Sequence, residues 1–316
     1  MFSLIITLMF YSLIYGDYSG GHPGSNFLYG SNARDVALSG STISTYNRGY
    51  NAFINPALLS KTKNNEYGFS HFVMSLDRSI QSISISRQLP PSAGVSLSFF
   101  RSGTDNVYGT DSFGNPTGEL SNSEGYGMIS FGINFIENLS AGFNIKTYFN
   151  NLDEYSANGI GFDLGLLYQK KYINMAFKIN NLSSGYSWKI DSNYEEKIPV
   201  NYALGFSYNK FKNLLLLSQI NIIQISDIIP IFNKEYKKFY NRLHIGVEYR
   251  LDYNQNKSIA LRTGVKELNN KLSYSLGFGM PFKMGKNRNL FLDYALDLGV
   301  MSEGIGHLFT FTMENK

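Results

Sequence analysis

Residues 159–168 read Gly-Ile-Gly-Phe-Asp-Leu-Gly-Leu-Leu-Tyr, and every second residue from Ile160 to Tyr168 is large and apolar. The residues between them are two glycines, an aspartate and one leucine. Successive side chains of a β-strand point to opposite faces, so this stretch predicts a strand with one apolar face and one small or polar face.

The same alternation recurs along the chain from Glu66 onward. We predict about fourteen strands, near residues 66–72, 79–88, 92–101, 124–135, 139–150, 158–168, 171–180, 201–210, 214–224, 242–251, 258–265, 272–282, 290–296 and 307–313. Each is close to the roughly 9–11 tilted residues that cross a bilayer as a strand, and an even number is typical of single-chain bacterial barrels. In hydrocarbon an extended chain can pair all its backbone groups only by closing the sheet on itself. The predicted fold class is all-β, a transmembrane antiparallel β-barrel.

The composition favours a surface that alternates between lipid and water. The 316 residues are 43% hydrophobic and 16% charged, which is too polar for a bundle of membrane helices and too sparsely charged for an ordinary soluble protein. A soluble β-rich domain with an aromatic core is the alternative interpretation of these totals. The net charge of +4 forms no basic stripe, which argues against a nucleic-acid partner, and the absence of cysteine excludes disulfides and thiolate sites.

The connections between the predicted strands alternate in length. The tight ones are Leu89–Pro91, Ile136–Asn138, Gln169–Lys170 and Phe211–Asn213. The long ones are Ser102–Ser123, Asn151–Ala157, Asn181–Val200, Ile225–Asn241 and Asp297–Gly306. Each long connection follows an odd-numbered strand, as in a membrane barrel with short turns on one side and longer loops on the other. With the N-terminus in the periplasm, the long loops would face the exterior.

The residues before the first strand divide into two parts. Residues 2–14 form an apolar run of about thirteen, which suits the central region of a signal peptide, so we predict a signal peptide over residues 1–16. Residues 17–65 are rich in Gly, Ser and Asn and show little alternation. The predicted barrel occupies residues 66–316, and the predicted location is the bacterial outer membrane.

The segment 17–65 is predicted to plug the barrel. Fourteen strands would leave a lumen too wide for a glycine- and serine-rich inner face to fill. Inward-facing glycines would let another segment approach the wall closely, and the candidates are Gly132, Gly159, Gly161 and Gly165.

No motif in the chain predicts chemistry. The four histidines, His22, His71, His244 and His307, lack the spacing of a metal-binding helix. The glycines at 159, 161 and 165 lie inside an alternating strand, not at the start of a helix, so they do not form a dinucleotide loop. We therefore expect no catalytic residue, no metal and no cofactor. The apolar stretch 214–232 contains Gln219, Asn221 and Pro230 and is predicted to be a strand followed by a hydrophobic loop rather than a membrane helix.

Several short motifs resemble those of the FadL-like barrels, and particularly those of the PorV/PorQ group. The N-terminal part of the resemblance is carried by Ser31-Asn32-Ala33-Arg34, by Gly40 and by Asn51-Ala52-Phe53-Ile54-Asn55-Pro56-Ala57-Leu58. Later matches are Ile198-Pro199-Val200 and His307-Leu308-Phe309-Thr310-Phe311. The resemblance implies a fourteen-stranded barrel with an N-terminal hatch, and it assigns the plug motif to Ala33, Arg34, Gly40, Asn55, Pro56 and Ala57.

Two functions follow from that resemblance. The first is a secretion-associated barrel of the PorV/PorQ type, with components of the type IX secretion machinery or secreted cargo as partners. The second is a transporter of hydrophobic small molecules such as long-chain fatty acids. Both imply contact with outer-membrane lipid.

Overall fold

The structure is a computed structural model that describes residues 22–190, 194–229, 234–254, 257–268, 271–284, 287–299 and 304–315. The predicted signal peptide lies outside these residues.

All fourteen predicted strands are present. They are β1 (Asn65–Val73), β2 (Arg78–Leu89), β3 (Ala93–Thr110), β4 (Pro116–Ile136), β5 (Leu139–Leu152), β6 (Tyr155–Lys170), β7 (Ile173–Leu182), β10 (Val200–Tyr208), β11 (Leu214–Ile229), β12 (Lys234–Asn254), β13 (Lys257–Leu268), β14 (Lys271–Met284), β15 (Arg288–Asp297) and β16 (Gly306–Asn315). Two short strands, β8 (Gly185–Trp188) and β9 (Glu195–Lys197), lie in the connection between β7 and β10. Each barrel strand pairs antiparallel with its neighbours, and β1 pairs with β16 from Asn65↔Asn315 to Val73↔His307. The sheet is therefore a closed fourteen-stranded barrel, as the alternation predicted.

The pattern of burial is inverted relative to that of a soluble protein. On β1 the buried residues are Glu66, Gly68, Ser70 and Phe72, whereas Tyr67, Phe69 and Val73 are exposed. Large apolar side chains on other strands are also exposed, for example 64% of Ile129 and 60% of Leu97. An outer apolar face and an inner small or polar face are what a transmembrane β-barrel presents to lipid and to its lumen.

The two ends of the barrel differ in their connections. We call the end that carries the tight turns, such as those between β4 and β5 and between β6 and β7, the inner end, and the opposite end the outer end. Several predicted long loops at the outer end are wrong, because the strands continue through them. The predicted loop Ser102–Ser123 is largely a hairpin extension of β3 and β4, and the predicted loop Asn151–Ala157 is a tight turn. Residues 225–229, predicted as a hydrophobic loop, belong to β11.

Short helices precede the barrel. They are a 3₁₀ helix at Ser25–Leu28, α-helices at Ala33–Ala37 and Asn51–Ile54, and a 3₁₀ helix at Pro56–Lys61. Within the described ranges, every helix is too short or too polar to cross a bilayer.

Candidate functional site

Residues 22–64, called the N-terminal segment here, lie against the inner face of the barrel. Nine strands each present a glycine whose hypothetical Cβ would overlap an atom of this segment. These glycines are Gly68, Gly94, Gly132, Gly142, Gly165, Gly205, Gly246, Gly264 and Gly277. Most residues of the segment from Ser31 to Thr62 are buried. The glycine-rich inner face is therefore filled by another part of the same chain.

The four glycines singled out in the sequence have two different neighbours. Gly132 lies against Pro56 and Gly165 lies against Asn55, as expected for contact with the N-terminal segment. The atoms nearest to Gly159 and Gly161 belong to other residues. Their neighbours are Gly185 and Ser184, which follow β7 and also fold into the barrel. The expectation was wrong for these two glycines because a second inward-folded connection occupies the outer half of the lumen there.

The six residues of the predicted motif form two separate anchors. At the first, the Ala33 amide donates a hydrogen bond to Thr310 Oγ1 at 2.8 Å, and Arg34 contacts β12. Gly40 ends this part of the segment with a φ of 77°, a left-handed conformation that favours glycine.

The second anchor lies on β6. Asn55 Oδ1 accepts a hydrogen bond from the Ala57 amide at 3.0 Å, which caps the 3₁₀ helix that starts at Pro56. Asn55 Nδ2 donates to the backbone carbonyl of Leu166 at 3.1 Å and to that of Ile43 at 3.2 Å. One asparagine thus caps a helix and also connects the segment to the wall.

A network of buried charges holds the first anchor. Glu248 on β12 receives Arg34 Nε at 2.8 Å, Arg262 Nε at 2.9 Å and Arg250 Nη2 at 2.9 Å. Arg262 Nη1 also lies 2.5 Å from Asp293 Oδ1. Removing one partner from a buried pair leaves an uncompensated charge, so loss of Arg34 or Glu248 would weaken the contact between the segment and the wall.

Two cavities lie on opposite sides of the N-terminal segment. On β12 the inner cavity is lined by Glu248 and Arg250 and the outer cavity by His244 and Arg242, while Gly246 between them contacts the segment. The outer cavity has a volume of about 130 Å³ and the inner one of about 200 Å³.

The outer cavity has an amphipathic lining. The N-terminal segment contributes mainly apolar side chains, namely Phe27, Leu28, Val36, Ile43, Phe53 and Ile54. The wall contributes mainly polar and cationic ones, including Lys146, Lys178, Asn201, Gln219, His244 and Lys266. A site with one apolar side and one cationic side fits a solute that has an apolar part and an anionic or polar part.

The cations of this cavity are held by the segment and by wall carboxylates. Lys146 Nζ lies 2.9 Å from Asp163 Oδ2, and Lys178 Nζ donates to the Phe53 carbonyl at 2.6 Å. Asp35 on the segment also lines the cavity. Burial raises the pKa of its carboxyl group, opposed by a hydrogen bond from Thr42 and by nearby cations.

An aromatic cluster lies at the outer end of the same cavity. The Phe27 ring lies 5.0 Å from Tyr126, 5.5 Å from Tyr148 and 5.8 Å from Phe100 between centroids. Tyr186 on β8 packs edge-on against Tyr148 at 6.2 Å.

Glu124 connects the two inward-folded segments beside this cluster. Its carboxylate accepts a hydrogen bond from Asn26 Nδ2 at 2.7 Å and another from the Tyr186 hydroxyl at 3.1 Å. The N-terminal segment and the β8–β9 hairpin therefore share one buried acceptor.

The charged wall residues of these sites were not singled out from the sequence. They are Glu124, Lys146, Asp163, Lys178, Glu248 and Arg262. The sequence did contain an indication of their role, because each of these residues lies at an inward-facing position of its alternating strand. In the stretch 159–168, Asp163 stands between Gly161 and Gly165 on the face opposite Phe162 and Leu164.

None of these charged groups forms a candidate metal centre. Across the described ranges, no group of three or more His, Asp or Glu residues is arranged to hold a metal ion.

The closed barrel with an apolar outer face belongs to the class of transmembrane β-barrels. No protein-family model matches the sequence, and no curated protein matches it significantly. Solved structures do match. The CymD monoaromatic hydrocarbon channel superimposes with a TM-score of 0.66 at 12% identity, over 92% of this chain and 98% of that one. The toluene transporter TbuX of Ralstonia pickettii gives a TM-score of 0.64 at 14% identity, over 92% and 99% of the two chains.

A FadL homologue from Pseudomonas aeruginosa gives a TM-score of 0.57 at 10% identity, over 90% and 98% of the two chains. Identities this low show the fold alone, so the protein shares the barrel fold of FadL-like proteins. The fold indicates the outer membrane. Two of these structural relatives are described as a monoaromatic hydrocarbon channel and a toluene transporter.

Proposed function

We propose that this protein is an outer-membrane channel for hydrophobic small molecules, with the N-terminal segment as the plug that a solute must pass. The observation that carries the proposal is the position of residues 22–64 between two cavities, in contact with glycines of nine strands. The export that this function requires would depend on the signal peptide predicted at residues 1–16.

The lining of the outer cavity favours the binding of amphipathic solutes in particular. Its aromatic and aliphatic side chains favour burial of an apolar body, because removing apolar surface from water is favourable. The ammonium groups of Lys146, Lys178 and Lys266 favour an anionic or hydrogen-bond-accepting end. A fatty acid satisfies both requirements, whereas a neutral hydrocarbon satisfies only the first.

Similarity to TbuX and CymD, named as a toluene transporter and a monoaromatic hydrocarbon channel, supports solute passage over secretion. The secretion-associated role implied by the PorV/PorQ resemblance is our second candidate. No contact among the described residues favours it over solute passage, and none of the relatives named above is a secretion component.

A disulfide lock tests the proposal. Ser39 Oγ on the segment and Ser275 Oγ on β14 are 2.7 Å apart and buried, so Ser39→Cys with Ser275→Cys places two thiols within bonding reach. The chain has no cysteine of its own, so the engineered pair cannot form a wrong disulfide within the chain. A second lock, Ser60→Cys with Ser140→Cys, uses hydroxyls 2.9 Å apart where the 3₁₀ helix Pro56–Lys61 meets β5.

The readout is uptake of labelled octanoate and toluene into proteoliposomes. We expect uptake to fall at least tenfold in the oxidised locks and to recover on reduction, with each single-cysteine variant as the matched control. Uptake of neither probe above that of empty liposomes would contradict the proposed function. Equal uptake by the oxidised and reduced locks would contradict the role of the plug.

A further inference from the structure

The inner cavity contains an unusual concentration of arginine. We call it the arginine cavity, and four guanidinium groups line it, those of Arg34, Arg48, Arg250 and Arg262. Two carboxylates, Glu248 and Asp293, are in the same lining. The lining therefore has two more positive than negative charges.

The two carboxylates that line the cavity are already paired with arginines. Glu248 already contacts three of the arginines, and Asp293 contacts Arg262. A further carboxylate, Glu314, approaches Arg48 with an N–O distance of 3.6 Å. Glu314 and the buried Glu66, which also interacts with Arg48, bring the carboxylates around the four arginines to four, but neither of these two lines the cavity.

Arg48 has unused hydrogen-bonding capacity. Its Nε atom is buried and makes no hydrogen bond among the described residues, although Glu314 Oε2 lies 3.6 Å from it. The guanidinium carbon lies 3.6 Å from the centroid of the Phe291 ring, a cation–π contact that fixes the plane of the group beside the cavity.

The four arginines come from two parts of the chain. Arg34 and Arg48 belong to the N-terminal segment, whereas Arg250 and Arg262 belong to β12 and β13. A group bound between them would contact both the plug and the wall.

We propose that the arginine cavity binds a small oxyanion, a phosphate or carboxylate group, which bridges the N-terminal segment and the barrel wall. Guanidinium presents a planar fork of donors that matches such groups bidentately, and charge-assisted hydrogen bonds of this kind are about twice as strong as neutral ones. The volume of about 200 Å³ is many times the roughly 10–15 Å³ that a cavity needs to hold one water molecule, so a small oxyanion fits.

The oxyanion has two possible sources with the same chemistry. It is either a free inorganic anion at the inner end or the anionic group of an organic solute. The site lies on the opposite side of the plug from the cavity of the proposed function, and its occupation does not require transport.

Binding is tested by calorimetric titration of the full chain in neutral detergent with inorganic phosphate and, separately, with benzoate. Sodium chloride is adjusted to hold the ionic strength constant, because screening alone weakens exposed charge interactions. The variant is Arg48→Gln with Arg250→Gln, two arginines that are less buried than Arg34 and Arg262. The matched control is Lys210→Gln with Lys212→Gln, which removes two charges in the exposed turn between β10 and β11.

We expect saturable binding of at least one probe by the unmodified chain, with affinity reduced about tenfold for each arginine removed and unchanged in the lysine control. The single variant Arg48→Gln, which lies outside the Glu248 network, covers the case in which the double variant does not fold. Saturation by phosphate indicates a free inorganic anion, and saturation by benzoate alone indicates an organic carboxylate. Absence of binding of both probes, or equal affinity in arginine variant and lysine control, overturns the proposal. Neither result depends on solute uptake, so failure here and failure of the proposed function are distinguishable.

Discussion

Arg34 and Glu248 are 214 positions apart in the sequence, yet their side chains form a buried ion pair with an Nε–Oε2 distance of 2.8 Å. Arg34 lies in the short helix Ala33–Ala37 of the N-terminal segment and Glu248 lies on the inner face of β12. The pair joins the part of the chain that fills the barrel to the part that encloses it.

Loss of Glu248 should loosen this anchor more than loss of Arg34. Glu248→Ala leaves Arg34, Arg250 and Arg262 without their shared carboxylate, a change that typically costs about 3–5 kcal/mol. Arg34→Ala removes one of the three arginines that contact Glu248 and leaves the other two. We therefore expect the free energy of unfolding to fall by about 1.5–3 kcal/mol. Urea unfolding in lipid vesicles measures both, with the exposed Lys212→Ala as a control near zero. Equal destabilisation by Arg34→Ala and Lys212→Ala would contradict the anchor.

Two glycines on β4 should respond differently to substitution by alanine. A Cβ at Gly132 would overlap the Pro56 carbonyl, whereas a Cβ at Gly127 would meet only the Thr147 hydroxyl at 3.4 Å. Overpacking of this kind costs about 1–3 kcal/mol, so Gly132→Ala should displace the 3₁₀ helix Pro56–Lys61 and Gly127→Ala should be nearly neutral. Protease cleavage within residues 50–64 measures the displacement. If the two variants are cleaved at the same rate, the close approach of Pro56 to Gly132 does not hold the 3₁₀ helix in place.

The hydrogen bonds of Glu124 should hold the β8–β9 hairpin in the outer end of the barrel. Tyr186→Phe removes only the hydroxyl that donates to Glu124 and should cost about 1.5–3 kcal/mol of local stability. Trp188, the single tryptophan of the chain, packs beside Tyr186 and reports this change. We expect a red-shifted emission and faster quenching by acrylamide. Tyr155→Phe, at an exposed tyrosine, is the control. Similar Trp188 emission from both variants would contradict the role of the Tyr186–Glu124 hydrogen bond in holding the hairpin.

Lys178 should select for solutes with an anionic end. Lys178→Gln retains a donor for the Phe53 carbonyl but removes a buried cation from the outer cavity. We expect octanoate uptake to fall about tenfold relative to toluene uptake, equivalent to about 1.4 kcal/mol. Lys170→Gln, an exposed lysine at the inner end, should leave the ratio unchanged. An unaltered ratio of octanoate to toluene uptake in Lys178→Gln would mean that the charge of Lys178 does not select between the two solutes.

The fourteen barrel strands were predictable because every strand that crosses lipid places apolar side chains on its outward face and small or polar ones on its inward face. Phe162 and Leu164 face outward while Gly161 and Asp163 face inward, and that alternation is visible without any knowledge of the partners. The extension of β3 and β4 beyond the predicted strands was not predictable. Both faces of the hairpin between Asp105 and Asn122 are exposed, so no apolar alternation marks it.

The site was less predictable than the wall. Inward-facing parity could have marked Glu248 and Asp163 as lumen residues, but nothing local to either strand indicates that Arg34 or Lys146 is the partner. Gly159 and Gly161 illustrate the same limit. Their sequence context shows that they face inward, and only the path of the β7–β10 connection determines that Ser184 and Gly185 lie against them.

The central claim is that the N-terminal segment closes the barrel, and single-channel conductance in planar bilayers tests it most directly. The variant is Gly142→Leu with Gly264→Leu, whose side chains would overlap backbone atoms of Pro56 and Leu38 and so displace both anchors. Heat-modifiable migration on a gel confirms that the barrel is folded. We expect the unmodified chain to be closed or nearly so, and the variant to show a large, steady conductance. A steady conductance of the same size in the unmodified chain would contradict the claim.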